Sequence, residues 1–160
     1  MALRKPLVIV GGRIRQIAAG DTVDAQVSEV DVVNQQNNNA APIIIGSPTY
    51  NDGAGTVDLA QADAVATVEV LGLVKDPTIA AAASGAIQTD GILAATTAQW
   101  VVITGDAGGL TPGSVYYLDP DTAGNLTKTA PSAVGDFVVR IGKAISTTEM
   151  EISILQPIEL

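Results

Sequence analysis

The chain has 160 residues, a formal net charge of −9, and neither histidine nor cysteine. It therefore lacks the side chains from which most general bases, thiolate nucleophiles and zinc sites are built. An acidic body also repels nucleic acid and anionic membranes. We predict a non-enzymatic protein that uses no cofactor or metal, has neither nucleic acid nor membrane as a partner, and acts through its surface.

The apolar residues are mainly Val, Ile, Leu and Ala, accompanied by 16 Gly and 8 Pro and only five aromatic side chains. β-Branched residues and frequent turn formers favour short strands over helices. No uninterrupted apolar run approaches the ~18 residues of a membrane helix, and Leu7 to Val10 is too short for an export signal. We predict an all-β fold, a small barrel or sandwich of short antiparallel strands with an N-terminal hairpin or arm.

The first element, residues 1–33, is predicted to be a β arm. Pro6 to Val10 and Arg13 to Ile17 read as two strands, since Gly11-Gly12 between them supplies the positive φ angles of a hairpin turn. A dinucleotide-binding turn is the alternative, but the third glycine of that motif is missing. Four of the eight basic residues lie within the first fifteen positions, namely Arg4, Lys5, Arg13 and Arg15.

A polar run, Asn34 to Asn39, follows the arm. Low-complexity amide runs are typical of exposed segments, so residues 34–41 are predicted to be a linker or loop. Residues 42–160 are then the main β domain.

Strand signals recur through this domain at short intervals, separated by Gly, Pro, Asn and Asp turns. Trp100 to Thr104 is predicted to be one of these strands. Leu59 to Thr67 is the one segment whose composition is compatible with a helix, and it could equally be a loop that leads into the Val65 strand. The other predicted strands are Pro42–Ile45, Thr56–Leu59, Val65–Val74, Gly85–Gln88, Gly91–Thr96, Ser114–Leu118, Asn125–Thr129, Asp136–Ile145 and Met150–Leu155.

Two features suggest chemistry, and each has a simpler interpretation. Asp119 and Asp121 flank a tight turn, and Asp21 and Asp24 form a second acidic pair. Neither pair has the ligand array of a calcium loop, so we expect solvated turns. Whether Asp119 and Asp121 bind a cation is left open. The glycine-rich stretch Gly105 to Gly113 lacks the Gly-Lys-Ser/Thr ending of a phosphate loop, so we expect a hairpin loop.

The basic arm has two interpretations from the residues alone. It is either a solvated hairpin surface, or an arm that docks on an acidic partner, which would be a neighbouring copy of this acidic chain or another protein. Strand addition to a partner's sheet edge is the expected route of docking. The candidate partner-binding residues are Arg4, Lys5, Leu7, Val8, Ile9, Val10, Arg13 and Arg15.

Two blocks of the chain resemble proteins of tailed bacteriophages. Arg4 to Thr22 is similar to an N-terminal stretch of virion proteins. Gly109 to Thr127, with Val134 to Ser146, is similar to a β module of head-decoration and tail-fibre proteins. The resemblance covers roughly half of the chain.

The resemblance implies a capsid decoration, or cement, protein on the outer surface of the phage head, where it stabilises the shell against packaged DNA. It further implies a homotrimer whose N-terminal arm contacts the major capsid protein. The alternative is a tail adaptor or short tail-fibre protein that touches the host surface. The short chain, which has no coiled-coil heptads, favours the decoration protein.

Overall fold

The computed structural model describes residues 31–160, together with the two strands of an N-terminal hairpin at residues 7–10 and 13–16. The described residues are mostly β-strand with one short helix, which confirms the all-β prediction. The strands of the body are β3 (Val32–Asn37), β4 (Ile43–Ile44), β5 (Pro48–Gly53), β6 (Thr56–Leu59), β7 (Val70–Val74), β8 (Thr78–Ile79), β9 (Ser84–Gln88), β10 (Gly91–Ala94), β11 (Val115–Leu118), β12 (Leu126–Thr127), β13 (Phe137–Val138), β14 (Arg140–Ala144), β15 (Glu149–Ile152) and β16 (Ile158–Glu159).

Five of these strands close into a barrel in the order β3-β6-β5-β7-β9. All neighbours are antiparallel except β3 and β6, which run parallel. β4 and β8 alternate with the barrel strands along the chain and pair with each other as a separate two-stranded ribbon. A small aliphatic core belongs to this half of the fold, and it consists of Ile43, Val57, Val74, Ile79 and Ile87.

The second half is an open sheet in the order β10-β15-β14-β11-β12. Its buried side chains, among them Tyr116, Ile141 and Met150, join the larger core of the protein. The indole of Trp100 enters the same core and donates a hydrogen bond from Nε1 to the Thr148 carbonyl at 2.9 Å. This core gives the open sheet a buried face and leaves its other face to solvent.

The strand predicted at Trp100 to Thr104 is wrong, because these residues form the helix α1 (Thr97–Thr104). Val101, Val102 and Ile103 favour a strand by propensity, but a capping box starts a helix ahead of them. The Thr96 hydroxyl accepts from the backbone N–H of Gln99, and the Gln99 side chain accepts from the N–H of Thr96. Gly105, with φ 70°, ends the helix. In the segment Leu59 to Thr67, for which the sequence allows a helix or a loop, the residues after β6 form turns.

The linker predicted at residues 34–41 is wrong for residues 34–37, which lie in β3. This strand pairs with β9 from Val32↔Gln88 to Gln36↔Ser84 and therefore belongs to the barrel. Asn37 is fully buried, and its amide donates to the carbonyls of Ala41 and Ile79 at 3.0 Å. Residues 1–6, 11–12 and 17–30 lie outside the described residues, and the division between arm and body stays a prediction.

Other strands agree more closely with the predictions made from the sequence. Thr56–Leu59 coincides with β6, and the long prediction Asp136 to Ile145 corresponds to β13 and β14. Asn51-Asp52-Gly53, predicted to be a turn, lies at the end of β5, where the pairing with β6 is irregular. Within the described part of the chain, no helix is long and apolar enough to cross a membrane.

Candidate partner-binding surface

The N-terminal hairpin consists of β1 (Leu7–Val10) and β2 (Arg13–Gln16), paired antiparallel from Leu7↔Gln16 to Val10↔Arg13. The predicted hairpin is confirmed by this register. Cross-strand partners share a face and neighbours along a strand alternate. Positions 8, 10, 13 and 15, which include both arginines, therefore form one face, and positions 7, 9, 14 and 16 form a largely apolar second face.

The other candidate residues of the arm, Arg4 and Lys5, lie outside the described residues. The acidic pair Asp21 and Asp24 does so as well. The structure thus gives a backbone register to six of the eight candidate partner-binding residues, from Leu7 to Arg15.

The body, residues 31–160, carries the opposite charge to residues 1–20, the basic part of the predicted arm. Residues 31–160 contain fourteen acidic and only four basic side chains, and the latter are Lys75, Lys128, Arg140 and Lys143. Residues 1–20 contain four basic side chains and no acidic one. The two parts of the chain are therefore electrostatically complementary, which favours contact between arm and body over contact between bodies.

The C-terminal ribbon, formed by β13 and β16, carries an exposed apolar surface. Its strands pair at Phe137↔Glu159 and Val138↔Ile158, and Leu160 extends the pairing by donating to the Asp136 carbonyl at 3.1 Å. Phe137 is buried, whereas Ile158 is 63% exposed and Leu160 is 42% exposed. Val134, in the turn just before β13, is 95% exposed. Exposed aliphatic side chains grouped on one element are typical of an interaction surface.

An open groove of ≈ 290 Å³ lies beside this ribbon. Three carboxylates, those of Asp119, Asp121 and Asp136, line it together with small and proline residues of the 130–133 segment. Oδ1 of Asp119 accepts hydrogen bonds from the backbone N–H groups of Asp121 at 2.7 Å and Thr122 at 3.0 Å. This carboxylate therefore holds its own turn. Over the described residues, no three acidic side chains stand close enough together to hold a metal ion.

The glycine-rich stretch Gly105 to Gly113 connects α1 to β11, so the hairpin loop expected there is wrong. A network around Asp106 fixes this connection. Oδ2 of Asp106 accepts from the Tyr116 hydroxyl at 2.7 Å, and Oδ1 lies 3.0 Å from Nζ of Lys128. The backbone N–H of Thr111 donates to the same Tyr116 oxygen at 2.9 Å.

Burial raises the pKa of Tyr116, and its bond to the Asp106 carboxylate adds to that shift, whereas the donor N–H of Thr111 opposes it. The hydrogen bond to Asp106 raises the pKa of Lys128. The sequence pattern does not predict this network, because its members come from three segments, namely the loop after α1, strand β11 and the residue after β12.

The polar run Asn34 to Asn39, which continues past the end of β3, supplies a second set of contacts. Its amides hold carboxylates of the barrel, because Nδ2 of Asn38 donates to Asp52 and Nδ2 of Asn39 donates to Asp58 at 2.7 Å. Burial and these two nearby carboxylates raise the pKa of Tyr50. These hydrogen bonds connect the residues after β3 to β5 and β6, so the amides have a structural role.

No protein-family model matches the chain, and no curated protein matches it. Fold and surface together define an acidic all-β protein with a basic two-faced hairpin and an exposed apolar ribbon.

Proposed function

We propose that this protein is a capsid decoration, or cement, protein of a tailed bacteriophage. It binds the major capsid protein on the outer surface of the head and stabilises the shell against the pressure of packaged DNA. The observation that carries the proposal is the two-faced basic hairpin attached to an acidic β body. An isolated two-stranded hairpin is at best marginally stable in water, so a hairpin with one apolar face is suited to a partner that covers it.

The phage-like second block supports the proposal because three of its four strands, β11, β12 and β14, lie side by side in the open sheet. Its first part contains β11 and β12, and its second part contains β13 and β14. β11 pairs with both β12 and β14, with one register shift between Tyr116 and Tyr117. A sequence block that folds into adjoining strands has the character of a reusable module, which is what the resemblance implies.

The stabilisation would come from many modest contacts. A homotrimer that engages several capsid subunits gains avidity, because the second and third contacts form within one complex. The shell is then held without any strong single contact.

The experiment is to measure copies per virion by quantitative mass spectrometry of purified particles, with the major capsid protein as the internal reference. Hundreds of copies are expected for a protein spread over the head. A few dozen or fewer would overturn the proposal and favour the tail adaptor or fibre. Co-sedimentation of the purified chain with emptied shells supplies the binding assay, and an unrelated acidic β protein of similar size is the control.

A further inference from the structure

Strand β16 has a free edge. In the order of the sheets it pairs with β13 alone, so the C-terminal ribbon is a two-stranded sheet. β2 also has a free edge, because among the described strands it pairs with β1 alone. Two short ribbons, each marginal by itself, therefore both offer unpaired backbone groups.

The side-chain patterns of the two free strands are complementary. Along β16 and its extension the order is Ile158, Glu159, Leu160, which is apolar, acidic, apolar. Along β2 the order is Arg13, Ile14, Arg15, which is basic, apolar, basic. If the strands pair in a register that places Ile14 opposite Ile158 or Leu160, an arginine position comes opposite Glu159. A slip by one residue would set arginine against leucine or isoleucine, so the pattern fixes the register.

We propose that the hairpin of one copy adds through β2 to the free edge of β16 in a second copy. The product is a four-stranded sheet of β13 and β16 from one copy with β2 and β1 from the other. One face of this sheet carries Val138, Ile158, and the apolar positions 14 and 9 of the hairpin. The other carries the buried Phe137 and its partner Glu159, beside the hairpin positions 13 and 15 with their partners 10 and 8. Strand addition thus joins the two apolar faces and pairs the charges at once.

Among the described strands of one copy the two ribbons are separate sheets, and their charge and apolar patterns match, so the occupant we propose is a second copy. The acidic groove beside the ribbon, with Asp119, Asp121 and Asp136, adds attraction for a basic hairpin. Contact between copies would also supply the multivalency that the proposed function requires. The inference deepens that proposal, but it concerns the free protein and is tested without shells.

The first test is a charge swap, measured by sedimentation equilibrium of the full chain. Glu159→Arg, and separately Arg13→Glu with Arg15→Glu, should each weaken self-association on the order of tenfold in Kd. Combining all three changes should restore most of the affinity, since the charges are again opposite. Matched controls are Glu69→Arg and the pair Lys75→Glu with Lys143→Glu, which change exposed charges elsewhere by the same amount.

A monomeric wild-type chain at all concentrations would overturn the inference. Equal weakening by the swaps and by their controls, without rescue in the combined variant, would overturn it too. A wild-type chain that self-associates but does not bind shells would instead count against the proposed function alone.

The second test distinguishes strand pairing between two copies from strand pairing within a single chain. The chain has no cysteine, so Ile14→Cys in one preparation and Ile158→Cys in another can be mixed and oxidised. A mixed disulfide between the two preparations is expected, and Ile14→Cys mixed with Ile92→Cys is the control, because Ile92 is exposed on a different sheet. If the disulfide forms only when both changes are in the same chain, the hairpin binds its own body and the second copy is ruled out.

Discussion

The hydroxyl of Tyr116 lies 2.7 Å from Oδ2 of Asp106, and this bond fastens the loop after α1 to strand β11. Tyr116 is fully buried, so its hydroxyl has only protein partners to bond. Tyr116→Phe removes a partner from both Asp106 and the N–H of Thr111. We expect a loss of about 1–3 kcal/mol in the free energy of unfolding, measured in urea. Tyr117→Phe, on the half-buried neighbour, is the control and should cost less; equal costs would contradict the role of the network.

The stability should depend on pH in the alkaline range. Because the pKa of Tyr116 is raised in the folded state above the ordinary tyrosine value of 10.0, the folded protein holds this proton more tightly than the unfolded chain does. The contribution is complete below about pH 10 and is lost as pH rises through the folded pKa. The raised pKa of Lys128 acts in the same direction. Urea unfolding of the wild type and of Tyr116→Phe across this range should show a shallower decline in the variant, and parallel curves would contradict the prediction.

Two adjacent glycines give a matched pair of substitutions. Gly108 and Gly109 both have φ near +90°, at 87° and 89°. A Cβ at position 109 would lie 2.5 Å from the Thr147 carbonyl oxygen, whereas a Cβ at position 108 meets nothing within 4 Å. Gly108→Ala should cost about 1–2 kcal/mol from backbone strain, and Gly109→Ala should cost roughly 1–3 kcal/mol more from the clash. Thermal unfolding of both variants measures the difference, and equal shifts in Tm would show that the clash is relieved.

The arginines of β2 should matter for attachment to shells. Arg13→Ala with Arg15→Ala is expected to weaken binding more strongly at low salt than at high salt, where screening has already reduced the attraction. Lys75→Ala with Lys143→Ala, two exposed lysines of the body, makes the same change in net charge and should have little effect. Co-sedimentation with shells at two salt concentrations gives the readout. An equal loss at both would indicate packing as the source of affinity.

Deleting residues 1–20 should weaken attachment to shells and leave the body folded, because the barrel and the open sheet are built from strands that begin at Val32. Circular dichroism and urea unfolding of the truncated chain test the second half of this prediction. Undiminished shell binding by a folded truncated chain would show that the arm is not the contact.

Composition and local pattern were enough to predict the fold class and the hairpin, because both depend on neighbouring residues. β1 pairs with β2 within ten positions of the chain. The helix α1 was missed since its strand-forming valines outweigh, by propensity, the two capping residues that decide its start. The strand β3 was missed because its polar residues gain their order from β9, far along the chain.

The candidate surface was predictable only in part. Charge counting found the basic arm, which is a property of the sequence alone. The C-terminal ribbon needed the structure, because each of its strands has two residues and its apolar character depends on which side chains remain exposed. Val134 and Phe137 are close in sequence and both apolar, yet one is 95% exposed and the other 7%. Packing, not residue type, separates them.

The pairing of Val32 with Gln88 also sets the order of events in folding. β3 comes first among the barrel strands, and the barrel cannot close until β9 has been synthesised. Bringing these ends together carries the loop-closure entropy of all the chain between them. Topologies dominated by such distant pairings fold in milliseconds to seconds. Closure is therefore a late step, and a weakened β3–β9 seam should speed unfolding much more than it slows refolding.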